Sequence, residues 1–243
     1  IDSVFVLTNI ESAEMIKYAS NAFLSTKISF ANAIAKLCEL SGADAASVLD
    51  GIGFDKRIGR DFLYPGVGFG GSCFPKDVRA LLSIAKQYGY DFKLLDAVED
   101  INKDARLDFV KKARTLLDKV PGKHVGILGL SFKPNTDDMR DAPSIDIIRL
   151  LQKDGAIIKV YDPVAMENAK GIIKNVAYCD NPYEVSENAD ILLIVTEWNE
   201  FKELDLTKIK KAMKQPIILD GRNIFNPIKV RELGFTYQGV GRV

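Results

Sequence analysis

Residues 64–77 read "YPGVGFGGSCFPKD", and Gly66, Gly68 and Gly71 within them spell G-x-G-x-x-G. The meaning of that spacing decides the fold. A working dinucleotide fingerprint follows a buried strand, opens a helix inside a βαβ unit, and is answered about twenty residues later by an acid at the end of a second strand. The residues before this one, "DKRIGRDFLYP" (55–65), are charged and end on proline, and no apolar strand closed by an acid follows at the right distance. The glycine spacing is therefore read as accidental. Residues 53–75 become an irregular insert in a region that is otherwise helical.

The flanks support that reading. From Ile10 to Leu40 there is neither Gly nor Pro, and Ile16, Phe23, Phe30 and Leu37 recur every seventh residue. This predicts one long helix with an apolar stripe that needs a partner helix. A second long helix is expected in "KLLDAVEDINKDARLDFVKKARTLLDKV" (93–120), with Leu94, Val98, Ile101, Ala105, Phe109, Ala113 and Leu117 on one side. Shorter helices are expected at 44–51 and 76–88. The opening "IDSVFVLT" reads as the last strand of a larger unit, so an upstream segment is expected. "PGKH" (121–124) marks a domain boundary. After it "HVGILGLSF", "AIIKVYD", "ADILLIVT" and "QPIILD" alternate with helical stretches such as "APSIDIIRLLQKDG" and "LDLTKIKKAMK", which predicts a parallel sheet with helices on both faces. The expected class is α/β: an all-helical central dimerisation domain with a long helix over 1–120, then a Rossmann-like parallel-sheet domain over 121–243.

Lys+Arg and Asp+Glu are equal at 33 each, so there is no electrostatic footprint for nucleic acid or an anionic membrane surface. No apolar run approaches a membrane span, and no signal-peptide pattern opens the chain. Cys38, Cys73 and Cys179 are scattered and odd in number, which suits reduced thiols in a cytoplasmic setting. With His124 the one histidine, a Ser–His–Asp triad, a Cys–His hydrolase dyad and a multi-His metal site are all disfavoured. His124 begins a strand, Cys38 falls on the long helix and Cys179 near a strand end, so all three are read as structural.

The glycine loop has a second use. Glycines let backbone N–H groups approach a ligand closely. Pro75 suits the first turn of a helix, which places Cys73 just before a helix N-terminus, where a thiolate is favoured. Lys76 adds positive charge, and Asp77, one turn on, is placed to handle a proton or a water. The competing reading is a glycine-rich turn around an inert cysteine.

These residues resemble the UDP-glucose/GDP-mannose dehydrogenase family. "GVGFGGSCFPKD" looks like the family's active-site segment, "AEMIKYASNAFLSTKISFANAIA" (13–35) like its central helix, "DKRIG" (55–59) like its arginine loop and "GLSFKPNTDDMRDAPS" (129–144) like the opening of its C-terminal domain. "LDGRNIF" (219–225) and "GVGR" (239–242) are similar to the UDP-glucose branch. The resemblance covers essentially the whole chain. The family also carries an N-terminal Rossmann domain that binds NAD and supplies a catalytic glutamate. Neither has a counterpart here, so the chain by itself is expected to be an inactive piece of an NAD-dependent enzyme.

The resemblance implies four-electron oxidation of a nucleotide sugar, UDP-glucose to UDP-glucuronate, for polysaccharide biosynthesis. Cys73 would be the nucleophile, forming a thiohemiacetal and then a thioester. Asp77 would position or deprotonate water, and Lys17 and Asn21, four apart on the long helix, would donate to the developing oxyanion. Arg57 would reach the substrate of a neighbouring subunit. Tyr64, Gly68, Phe69 and Gly70 would line the sugar and phosphate side. Phe132, Lys133 and Arg222 would hold UDP at the sheet edge, and Lys76 and Arg140 would contact NAD. A homodimer through the long helix is implied. Alternatives are a GDP-mannose or UDP-N-acetylmannosamine dehydrogenase, or a non-catalytic nucleotide-sugar-binding module.

Overall fold

The computed structural model describes residues 4–242. Helix α1 (Ile10–Ser41) runs 32 residues, its first turn capped by the Asn9 side chain, which accepts from the Ser12 N–H. Helices α2 (Ala45–Gly53), α3 (Phe74–Gln87) and α4 (Lys93–Leu117) complete a first half with no strand among its described residues. The inward face of α1 is built of small and polar residues, Asn21, Ala22, Ser25, Ser29, Ala31, Asn32, Ala35 and Cys38. Small residues let α3 and α4 approach closely, and the serines stay bonded: Ser25 Oγ to the Asn21 carbonyl and Ser29 Oγ to the Val98 carbonyl of α4. The predicted stripe of large apolar residues lies on the other side. Ile16, Phe23, Phe30 and Leu37 are between 48% and 65% exposed. On α4, Val98, Phe109, Ala113 and Leu117 are buried as the periodicity predicts, while Leu94 is exposed.

The second half alternates strand and helix: β1 (His124–Leu128), α5 (Pro143–Lys153), β2 (Ile157–Tyr161), α6 (Met166–Ile172), β3 (Ala177–Tyr178), α7 (Pro182–Ser186), β4 (Ile191–Ile194), α8 (Asn199–Lys202), α9 (Leu206–Ala212), β5 (Ile217–Asp220), α10 (Pro227–Glu232) and β6 (Thr236–Gly239). All pairings are parallel, in the order β3-β2-β1-β4-β5-β6, the doubly wound arrangement. Period-two alternation sends each strand's residues to two separate cores. Val125, Ile127, Ile191, Leu193, Ile217 and Leu219 join α1, α4 and α5 in one. Leu128, Leu192, Ile194 and Ile218 join Trp198, Phe201, Ile209 and Val230 in the other.

The first core therefore crosses the boundary expected at 121–124. The chain's last stretch tightens the join. Glu39 on α1 accepts from the Gly241 N–H at 2.7 Å and pairs with Lys112 of α4, and Arg242 meets Asp44 at 3.0 Å.

Two sequence expectations need correction. Residues 4–9 form no strand: they pair with nothing in the sheet, and Val4, Phe5, Val6 and Leu7 are all exposed. Residues 1–3 lie outside the described part. The four apolar runs also undercount the sheet, because β3 has only two residues and β6, "TYQG", is half polar.

Candidate active site

The glycine loop lies between the helical half and the carboxyl edge of the sheet. Gly68 sits at φ +89°, and a Cβ there would fall 2.6 Å from Asn102 Oδ1 on α4. Gly70 has ordinary φ but no room: its Cβ would fall 2.3 Å from the Asp141 carbonyl in the β1–α5 loop. Further hydrogen bonds seat the backbone, from Gly66 N–H to Asn32 Oδ1 (2.8 Å) and from Gly71 N–H to the Arg140 carbonyl (2.8 Å). The glycines thus serve close approach of protein backbone on both sides, which accounts for their number without a dinucleotide.

The loop delivers Cys73 to the N-cap of α3, exposed, with Pro75 in the first turn. One turn on, Asp77 is 2% exposed. It accepts from Asn21 Nδ2 at 2.5 Å and from the Lys76 ammonium, and Lys17 Nζ stands 3.9 Å from the same Oδ2 that Asn21 binds. Burial alone would raise Asp77, but the hydrogen bonds from Lys76 and Asn21 and the charges of Lys76 and Lys17 outweigh it and hold the carboxyl below its ordinary value. Asp77 is an anion at neutral pH. Lys76 is raised chiefly by its bond to Asp77. The structure thus brings together Cys73, Lys17, Asn21, Lys76 and Asp77, from two elements 56 residues apart in sequence. Among the described residues no group of three or more His, Cys, Asp or Glu is placed to hold a metal ion.

The sheet edge supplies a second group. Phe132 and Lys133 follow β1, the Lys133 ammonium 5.5 Å from the Phe132 ring centre. Arg222 follows β5, its Nε bonded to the Val195 carbonyl (2.7 Å) and 3.1 Å from Glu197 Oε2, with Nη2 3.5 Å from the Phe132 carbonyl. These residues meet where the strand order reverses between β1 and β4, the position at which open α/β sheets bind ligands. Asp220, buried beneath Arg222, accepts from the Arg222 and Phe225 N–H groups and from Tyr237 Oη; burial drives its carboxyl upward against those bonds.

Strand order alone would suggest that this sheet binds a dinucleotide. Its details do not fit one. Helix α5 starts at Pro143, far beyond β1, so no helix N-terminus opens at the first turn. The acid after β2, Asp162, is fully buried and turned inward. It accepts from the Leu130 and Ser131 N–H groups, Ser131 Oγ and Trp198 Nε1 through one oxygen, and from the Val164 and Ala165 N–H groups through the other. Nothing remains for a ribose.

Arg57 and Tyr64 stand apart from the cluster, while Arg140 lies near Cys73. Arg57 is 89% exposed and bonded to Asp55 within its own loop. Tyr64 is exposed under the Arg60 guanidinium at 4.5 Å, and Arg140 is exposed and paired with Asp138. Sequence reading missed Asn102, Arg106 and Asp162, which hold the two loops. The available signal was a polar residue on the buried side of α4 and an acid at the end of β2.

Residues 11–104 match the UDP-glucose/GDP-mannose dehydrogenase family, central domain, and residues 126–227 match the same family's UDP binding domain. UDP-glucose 6-dehydrogenase TuaD of Bacillus subtilis is 52% identical, over 98% of this chain and 52% of its own length. UDP-glucose 6-dehydrogenase of Pseudomonas aeruginosa is 46% identical, over 95% and 52%. The chain spans about half the length of the curated relatives it matches. Among solved structures, a UDP-glucose dehydrogenase from Pyrobaculum islandicum superposes with TM-score 0.90 at 37% identity, covering 100% of this chain and 54% of that one. A UDP-D-ManNAc dehydrogenase from Pyrococcus horikoshii gives 0.85 at 30%, covering 100% and 55%.

Proposed function

The chain belongs to the UDP-glucose/GDP-mannose dehydrogenase family, and from that premise we propose that it carries the thiol chemistry and sugar-nucleotide site of a UDP-glucose 6-dehydrogenase. The observation that carries this reading is an exposed Cys73 at a helix start, one turn from a buried, ionised Asp77 that is bonded to Asn21 and faces Lys17.

NAD supplies hydride acceptance in such enzymes. The sheet described above does not fit it, so only Lys76 and Arg140, the cations near Cys73, are assigned toward that cofactor. This chain's own residues then divide the work. Lys17 and Asn21 donate to the sugar's C6 oxygen as it gains negative charge. Once C6 is an aldehyde, the Cys73 thiolate adds to it: an Sγ–C6 bond forms and the carbonyl π pair moves to oxygen. Were a bound NAD to accept the second hydride from C6, the oxyanion pair of that adduct would re-form the carbonyl and give a thioester. Water adds to the thioester and its two protons pass to solvent, the Sγ–C6 bond breaks, and the thiolate leaves with the sugar carboxylate formed. A carboxylate held below its ordinary value is a weak base. Asp77 therefore serves to orient the water and to hold Asn21 in place, more than to store a proton.

At the far end of the cleft, Lys133 and Arg222 neutralise the pyrophosphate by charge-assisted hydrogen bonds. The exposed stripe of α1 pairs with a second copy of the chain, which would bring Arg57 to a neighbour's substrate. Three free thiols suit a reducing, cytoplasmic compartment. No helix among the described residues is long and apolar enough to cross a membrane.

Calorimetric titration with UDP-glucose, GDP-mannose and UDP-N-acetylmannosamine tests the reading. Selective heat with UDP-glucose, and two NADH per sugar from the protein at its native length, is the expected result. Equal heats for all three would remove the substrate assignment.

A further inference from the structure

Asn102 of α4 is 5% exposed, and both ends of its amide bond one residue of the glycine loop. Oδ1 accepts from the Phe69 N–H at 2.7 Å, and Nδ2 donates to the Phe69 carbonyl at 3.2 Å. The N–H fixes which end of the amide faces it, so the orientation is determined by the network. One turn later on the same face, Arg106 Nη2 donates to that carbonyl at 2.8 Å and to the Asp141 carbonyl at 3.2 Å, while Nη1 meets Asp146 of α5. Both acceptor positions of the Phe69 carbonyl are thereby filled. The Phe69 ring, 5% exposed, stands edge-on to Phe74 with centroids 6.0 Å apart. Phe74 is the first residue of α3, and Cys73 is its N-cap.

We propose that Asn102 is a positioning residue: through the Phe69 backbone it sets where the loop presents Cys73 to the Lys17–Asn21–Asp77 cluster. It does not touch the reacting atoms. Its contribution rests on the reading of Cys73 as the nucleophile, and its geometry is independent of which sugar binds. Gly68 belongs to the same device, because Asn102 Oδ1 occupies the space that any Cβ at that position would need.

The test is Asn102→Asp beside Asn102→Ala, in the protein at its native length. As a carboxylate, the Asp variant still accepts from the Phe69 N–H but sets an acceptor against the Phe69 carbonyl. As the neutral acid it regains the missing donor; burial raises the pH at which it does so, while the Arg106 guanidinium on the same carbonyl and the Phe69 N–H lower it. At about pH 8 the Asp variant should oxidise UDP-glucose on the order of 10–100-fold more slowly with KM changed less than about threefold. Alkylation of Cys73 by iodoacetamide, followed by mass spectrometry, should change by more than about threefold. Both ratios to the unmutated protein should return toward one as pH falls to about 6, and the Ala variant should show no such return. Ratios that stay near one for both variants overturn the proposal, and so does a pH-independent loss that only tracks a fall in Tm. If the Ala variant does not fold, the acid-restored Asp variant carries the test alone. Alkylation needs no substrate: a protein that ignores UDP-glucose yet shows this pattern would remove the functional reading and leave the positioning role standing.

Discussion

Gly70→Ala isolates the seating of the glycine loop from its chemistry. Gly70 has no positive φ to strain, so the added methyl acts by volume alone. Its Cβ would lie 2.3 Å from the Asp141 carbonyl oxygen, 3.0 Å from that carbonyl's carbon and 3.1 Å from Pro143 Cδ, where ordinary contact begins at 3.4 Å. Relief therefore requires a shift of about 1 Å between the loop and the β1–α5 segment, both of which Arg106 ties down. A displacement of that size at a reacting group costs about 100-fold in rate, and forcing it into a packed seam costs about 1–3 kcal/mol of stability. The assay is turnover of UDP-glucose by the native-length protein, with thermal unfolding alongside. Gly171→Ala is the control: it lies in α6, with nothing within 4 Å of its Cβ, and should leave both unchanged or raise stability slightly. If Gly70→Ala oxidises substrate within about twofold of the parent at unchanged Tm, the loop is not clamped as described and the reasoning fails.

Cys73→Ser should stop the reaction before the acid; glucuronate formed at the parent rate would exclude the thioester route. Asp77→Asn should slow thioester hydrolysis, so that acylated protein accumulates in a mass spectrum; an unchanged steady state without it would remove Asp77 from the water step. The same variant carries a pH signature. Asp77 is depressed in the fold, so its contribution is fully present above the unfolded value of about 4 and is lost as pH falls through the lower folded value. Acid unfolding of Asp77→Asn should lack that decline, and a parallel acid limb would contradict the assignment. Asp162→Ala strands buried donors of the β1 loop and Trp198, and should cost more than about 3 kcal/mol in denaturant unfolding; a loss below about 1 kcal/mol would show that water replaces the carboxylate.

The long helices and the parallel sheet were legible because their signals are local: an uninterrupted period in residues 10–40, and short apolar runs after 124. The sense of the α1 stripe was not. Large apolar residues mark a face that wants a partner, but only packing shows that Ala22, Ser29 and Ala35 face the neighbouring helices within this chain. Cys73 and Asp77 were legible one turn apart, and Lys17 with Asn21 as a helical pair. That the two pairs meet is a tertiary fact 56 residues wide. Asn102, Arg106 and Asp162 carry only a faint local mark, polar residues on the buried side of α4 and an acid at the end of β2, because each bonds backbone of a segment at least 31 residues away, and backbone has no sequence signature. Arg57 is the reverse case. Resemblance singles it out, and within the chain it bonds only Asp55 among the described residues.

The bond from Gly241 to Glu39 also sets a timetable. It spans 202 residues, and at about 5–20 residues per second translation needs roughly 10–40 s to cover them. For that interval the C-terminal end of α1 is made but unclasped, and its exposed apolar stripe awaits anything apolar. A chain built this way is exposed to capture during synthesis. Its yield in a cell should depend on chaperone supply more steeply than its equilibrium stability would suggest, and slowing synthesis downstream of α1 should lower soluble yield without altering a single contact of the finished fold.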